Sequence, residues 1–192
     1  MTLSLSKGEG ISLKKTDGTN LSKIILGLGW DAAKKKSFFG GGSEIDLDAS
    51  IILFDGNKNA IDTVFFGSTK SADGAIKHSG DNLTGAGDGD DEQIVVDLTA
   101  INRNTQYGVL VITSYSGQKF NEVKNVFARV IDASTPSAPE LIRYDLAEGG
   151  AHTGSIVAKF ERDGLGWKFT AIGNAANGKT PSQLVGDAKA AL

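Results

Sequence analysis

The chain has 192 residues, 40% hydrophobic and 22% charged, with 20 basic against 23 acidic residues and a net charge of −3. That mix suits a folded chain, and it lacks the basic excess of nucleic-acid binders, so no nucleic-acid partner is expected. Cysteine is absent and only His78 and His152 supply imidazole. Disulfides, thiolate zinc sites, iron–sulfur clusters and thiol-based reduction are therefore excluded, and a bound metal must be held mainly by oxygen, which favours calcium or magnesium.

The first residues, Met1-Thr2-Leu3-Ser4-Leu5-Ser6-Lys7-Gly8, show no basic start followed by an apolar run, and no stretch approaches 18 consecutive apolar residues. The expectation is a cytoplasmic protein without a transmembrane segment. Leu3 and Leu5, then Ile11 and Leu13, alternate with polar residues as half-buried strands do. Residues 23–30 are more uniformly apolar and read as a central strand. Further strands are expected over residues 45–54, 61–66, 93–98 and 107–113.

The last third alternates more clearly. Val126, Ala128 and Val130 oppose Phe127, Arg129 and Ile131, and the same two-residue period runs through residues 141–146, 156–161 and 167–172. Asp17-Gly18, Asp55-Gly56-Asn57, Asp73-Gly74 and Asp163-Gly164 supply turns between these runs. A short helical turn is possible over residues 120–123. Thr180-Pro181-Ser182-Gln183 reads as a helix start, with Thr180 as cap, and the helix would run to about Ala191 with Leu184, Ala188 and Ala191 on one face. The expected fold is all-β: one antiparallel β-sandwich domain of about ten strands over residues 1–192, with a short C-terminal helix.

One segment does not read as scaffold. Residues 79–92 run Ser-Gly-Asp-Asn-Leu-Thr-Gly-Ala-Gly-Asp-Gly-Asp-Asp-Glu, and no Lys or Arg falls between Lys77 and Arg103 to neutralise Asp81, Asp88, Asp90, Asp91 and Glu92. Carboxylates this dense repel one another unless a cation sits among them. Asn82, Thr84 and the glycine carbonyls add neutral oxygens, and calcium accepts six to eight oxygens in flexible geometry whereas magnesium demands an octahedron. The alternative is a solvated acidic turn. The loop is not an EF-hand: with Asp81 first and Glu92 twelfth, Leu83 and Gly85 fall on the third and fifth positions and Ala86 replaces the glycine. Its resemblance to a calcium β-roll repeat extends to one copy only.

Asp46 and Asp48 are two apart, so a strand places both on one face while Ile45 and Leu47 point to the core. Asp31, after Trp30, is a further candidate ligand or else a turn residue or cap. His78 adjoins the acidic loop as a group behind the ligands or a surface residue, before it reads as a base. The basic stretch of residues 34–42, Lys-Lys-Lys-Ser-Phe-Phe-Gly-Gly-Gly, reads as a solvated loop with a secondary reading as a contact for anionic lipid or phosphate.

Together these segments resemble the TerD family of bacterial tellurium-resistance and general-stress proteins. The matching pieces are Leu3-Ser4-Leu5-Ser6-Lys7-Gly8, Leu26-Gly27-Leu28-Gly29-Trp30-Asp31, Asp46-Leu47-Asp48-Ala49-Ser50, Lys70-Ser71-Ala72-Asp73-Gly74 and residues 78–85 and 87–92, followed by Arg143-Tyr144-Asp145-Leu146 and Trp167-Lys168-Phe169. The resemblance implies a β-sandwich that binds calcium, two or more ions, through Asp46, Asp48, Asp81, Asn82, Asp88, Asp90, Asp91 and Glu92. It also implies a role in tellurite resistance and stress defence beside other tellurium-resistance proteins in a membrane-associated assembly, at the inner face of the membrane. The chain departs from the family pattern at Ile45, where an aromatic is common, and in its longer, more basic stretch at residues 34–42.

The function expected is a calcium-binding stress-response protein acting as a non-enzymatic, calcium-ordered interaction module. The alternatives are a calcium-dependent lipid- or carbohydrate-binding module and a carboxylate-based hydrolase using paired acids. Carboxylates crowded among glycines resemble ligands more than one raised and one ordinary acid, and no nucleophile–histidine pairing or phosphate-cradling loop is evident.

Overall fold

The computed structural model describes residues 2–32, 46–80, 89–146 and 150–192. Within them, twelve strands form two six-stranded sheets. The first sheet has the order β1 (Leu3–Ser4), β10 (Glu140–Asp145), β9 (Val123–Asp132), β3 (Lys23–Ala32), β7 (Glu92–Asp97), β6 (Ile76–His78). The second has the order β2 (Gly10–Ser12), β12 (Gly166–Ala176), β11 (Gly154–Asp163), β8 (Tyr107–Ser114), β4 (Leu47–Phe54), β5 (Ala60–Val64). All pairs are antiparallel except β1 on β10. The expected antiparallel sandwich is the observed fold.

The period-two pattern explains the core. Ile24, Leu26, Leu28 and Trp30 of β3, with Val126, Ala128 and Val130 of β9, pack between the sheets against Leu47, Ala49, Ile51 and Leu53 of β4 and Leu110 and Ile112 of β8. Strand β4 is buried at all eight positions because its other face is covered as well. Ile52 and Phe54 join Val109, Val111 and Ile156 in a second apolar layer under Leu184 and Ala188. A strand covered on both faces loses its alternation, which is why the run Ile51-Ile52-Leu53-Phe54 is continuously apolar.

The C-terminal segment differs in detail from the expected single helix. Pro181–Leu184 form a 3₁₀ turn, and α1 (Val185–Ala190) follows it. Thr180 is extended and makes no side-chain cap; its hydroxyl lies 2.9 Å from Ser182 Oγ, while the Gln183 amide oxygen takes the Lys179 N–H at 2.7 Å. The turn expected over residues 120–123 is a 3₁₀ turn at Phe120–Glu122. Among the described residues, no helix is long and apolar enough to cross a membrane.

Candidate functional site

The start of β4 carries the first part of the site. Leu47 and Ala49 turn into the core, so Asp48 and Ser50 take the opposite face, in line with Ile52 and Phe54. Asp48 is only 2% exposed and Ser50 is fully buried. Thr113 of β8 stands directly across from Asp48 and is buried too. Residues opposed in an antiparallel pair keep their Cβ atoms about 4.5–5.5 Å apart, so an acid and two hydroxyls share one small patch. Ser50 Oγ and Thr113 Oγ1 meet no hydrogen-bond partner among the described residues.

Strand β5 pairs with β4 only as far as Ile51–Val64. Beyond that point the edge of β4 is completed by two side chains from the other sheet. Glu92 Oε2 accepts the Ala49 N–H at 2.6 Å, and His78 Nε2 lies 3.1 Å from the Ala49 carbonyl oxygen and 3.5 Å from Glu92 Oε2. Glu92 and His78 are both buried. They stand in for a missing strand and tie β6 and β7 to β4.

The Gly80 N–H donates to His78 Nδ1 at 3.0 Å. The neutral ring therefore holds its proton on Nε2, toward Ala49 and Glu92. Burial pulls the His78 pKa down, but the Glu92 hydrogen bond and charge, the Ala49 carbonyl and the Asp48 charge outweigh it and leave the net shift upward. The Gly80 amide opposes that shift, because a proton on Nδ1 would force it to turn away. The reading of His78 as a surface residue is thus corrected: it lies inside, behind the acids.

The three consecutive acids Asp90, Asp91 and Glu92 that lead into β7 leave in three directions. Glu92 points to β4. Asp91 extends the pairing with β3, its N–H donating to the Leu28 carbonyl at 2.8 Å and its Oδ2 accepting the Trp30 N–H at 2.9 Å. Asp90 turns onto the outer surface of the first sheet, where Arg129 Nε donates to Oδ1 at 2.6 Å and Gln93 Nε2 donates to Oδ2 at 3.0 Å. The Asp90 side chain is fully buried there, and Arg129 also donates to Glu140 at 3.0 Å. The hydrogen bond to Asp90 is the main reason the Arg129 pKa is raised.

This arrangement accounts for the glycines of β3. A Cβ on Gly27 would run into the Asp90 carboxylate, and one on Gly29 into the Phe127 ring and the Gly89 carbonyl. Sequence reasoning missed Arg129 because it sought a countercharge near the acidic segment, and β9 supplies one 39 residues away. The available signal was a pair of glycines inside an otherwise apolar strand, which marks a close approach.

Of the sequence-expected ligands, Asp48 and Glu92 meet at the start of β4, where Glu92 takes the N–H of the neighbouring Ala49, whereas Asp90 and Asp91 are drawn toward β9 and β3. Asp46 directly precedes β4. Asp31 lies in β3 with its backbone opposite Lys124, and its side chain is outside the description. Asp81, Asn82, Thr84 and Asp88, with the basic stretch at residues 34–42, lie outside the described residues. Among the described residues, no three Asp, Glu or His side chains are grouped to hold a metal.

A two-sheet antiparallel sandwich, with a buried acid on β4 and Glu92 and His78 of the other sheet bonded to its edge, defines the class of protein. Residues 1–185 match the family model of the TerD domain. The chain is 43% identical to the tellurium resistance protein TerZ of Serratia marcescens, covering 99% of this chain and 98% of that protein. It is 41% identical to general stress protein 16U of Bacillus subtilis (strain 168), covering 93% of each. The chain belongs to the TerD family. Its fold also resembles the crystal structure of a homologue of the telluride resistance protein TerD from Streptomyces coelicolor A3(2), with a TM-score of 0.70 at 20% identity over 86% of this chain and 96% of that one.

Proposed function

We propose that the chain is a calcium-binding stress-response protein of the tellurium-resistance type, acting as a non-enzymatic interaction module whose binding surface is ordered by the metal. The observation that carries this reading is the buried Asp48 carboxylate beside the buried Ser50 and Thr113 hydroxyls, next to the strand edge that Glu92 and His78 bond. An all-oxygen donor set in a buried place suits a hard divalent cation. Calcium supplies a concentrated positive charge that many oxygens share.

Asp46 and Asp48, with Asp81, Asn82, Thr84 and Asp88, would hold two or more ions. Asp90, Asp91 and Glu92 serve chiefly as anchors, through Arg129, Trp30 and Ala49, fixing the end of the acidic segment. Names of relatives support the resistance and stress role. The proposed partners are other tellurium-resistance proteins in a membrane-associated complex, and the proposed location is the cytoplasm, peripheral to the inner membrane face.

A second reading is favoured by one observation. Tyr115 is 54% exposed and its ring meets Phe66 edge-on at 5.8 Å, with Phe65 against Phe66 at 5.5 Å. Tyr115 follows Ser114, which pairs with Leu47, so this aromatic cluster lies at the Asp48 end of β4. In this reading the module docks on lipid when calcium is bound.

Thermal melts with chelator, millimolar calcium and millimolar magnesium test the leading proposal. A ligand that binds only the folded state at a hundredfold excess over Kd stabilises it by about 2.7 kcal/mol. At about 2–4 °C per kcal/mol this is a rise of about 5–10 °C in calcium, with much less in magnesium. Coincident chelated and calcium melts would overturn the proposal.

A further inference from the structure

We infer that Arg162 and Arg103 form a binding site for a phosphate group, built on the loop between β7 and β8. The site is independent of the calcium reading and lies at the far end of β4, where Tyr107 pairs with Phe54.

One guanidinium holds that loop. Arg162, near the end of β11, donates through Nε to the Thr105 carbonyl at 2.9 Å and through Nη2 to the Ile101 and Asn102 carbonyls at 3.1 Å each. Its Cζ stands 4.5 Å from the centre of the Trp167 ring. Trp167 is buried and is itself fixed, its indole N–H donating to the Leu98 carbonyl at 3.1 Å. The cation is therefore in place before a ligand arrives. A guanidinium carries five N–H donors. Nε and Nη2 use three of them on the loop, which leaves the two on Nη1 for another acceptor.

The charges around it do not balance. Two other arginines meet carboxylates, Arg129 with Asp90 and Glu140 and Arg143 with Asp145. Arg162 and Arg103 form no ion pair among the described residues. Asp163, next to Arg162 in sequence, takes the Ser12 hydroxyl at 3.1 Å, and Asp73 takes the Asn102 N–H at 2.8 Å. Arg103 is exposed and belongs to the same loop, between two of the residues whose carbonyls Arg162 bonds. Burial and then the Arg103 charge lower the Arg162 pKa. Like charges placed this way oppose folding. The fold has no use for the second one, since Arg162 alone already bonds the loop. An anion between the two guanidiniums removes the conflict. Phosphate suits the pair because its oxygens accept several charge-assisted N–H bonds and arginine forks match its geometry.

Amide NMR titrations of the full chain, in chelator and at constant ionic strength, test this with sodium phosphate and, separately, O-phosphoserine as probes, and sodium chloride as blank. Saturable shifts are expected at the amides of residues 101–106 and at Arg162 Nε. Arg103→Ala should weaken phosphate binding at least about tenfold, while melting in phosphate-free buffer at or above the wild-type temperature, because a like charge has been removed. Arg143→Ala, which removes an arginine already paired with Asp145, should leave phosphate binding unchanged. Tighter binding of phosphoserine than of inorganic phosphate would uphold the site and assign it to a phosphorylated partner; equal or weaker binding would uphold it as a site for free phosphate. No saturable shift with either probe, or shifts that survive Arg103→Ala, would overturn the inference. Loss of binding together with a lower phosphate-free melt for Arg103→Ala would overturn it in favour of a structural role.

Discussion

Replacing Arg129 with Met tests how the acidic segment is anchored. The Asp90 side chain is fully buried and takes Arg129 Nε at 2.6 Å, whereas the Arg129 side chain is 25% exposed. Removing the cation leaves a carboxylate with no water and only the Gln93 amide for company. Breaking a buried pair in this way costs about 3–5 kcal/mol. Partial exposure of the arginine places the expectation at the lower end, about 3 kcal/mol, or about 6–12 °C in melting temperature for a chain of this size. Asp90→Asn should cost less, about 1.5–3 kcal/mol, because its amide oxygen still accepts a hydrogen bond. The double variant Arg129→Met with Asp90→Asn should recover part of the loss, since no buried charge is stranded. Chemical denaturation of the four proteins gives the coupling. An Arg129→Met variant within about 0.5 kcal/mol of wild type, or single effects that simply add, would refute the anchoring argument.

Two further outcomes are expected. Gly27→Ala should destabilise the fold and displace Asp90, because its new Cβ would occupy the space of that carboxylate; amide exchange should rise at Asp91 and Trp30, and unchanged protection there would contradict the packing described. His152, stacked on Phe120 at 4.9 Å, has its pKa lowered by burial from the ordinary 6.5. The unfolded chain then takes up a proton that the folded histidine resists, so this residue costs stability as pH falls below about 6.5. His152→Gln should thus become more stable relative to wild type between about pH 7.5 and 5.5, a trend that a pH series of melts would detect and that an unchanging difference would disprove.

Much of the fold could be read from local pattern. The alternation at Val126, Ala128 and Val130 and the uniform apolar run at residues 23–30 correspond to β9 and β3, because side-chain period and burial are set by neighbours in sequence. The short β6 escaped notice: Ile76-Lys77-His78 is too brief to show a period, and it forms because β7 pairs with it along one side. The buried Asp48 was suspected from its spacing to Asp46. Its companion Thr113, the His78 contact to Ala49 and the Arg129 partner of Asp90 depend on strand order and register, which bring together residues that the linear sequence keeps far apart. The burial of Ser50, two residues from Asp48, is set by the apolar layer under the C-terminal segment, which local pattern does not show. The anchoring roles of Asp90 and Asp91 were likewise hidden, since five acids in one segment look alike until each has a direction.

Calcium titration calorimetry of the wild-type chain and of Asp48→Asn tests the central claim most directly. The wild type should give saturable calcium heat with a stoichiometry of two or more, and Asp48→Asn should bind far more weakly, because a buried neutral amide replaces the charged oxygen beside Ser50 and Thr113. Asp163→Asn, in the β11–β12 turn, should titrate like wild type. Equal curves for all three proteins, or no heat from any, would contradict calcium as the ligand of this site.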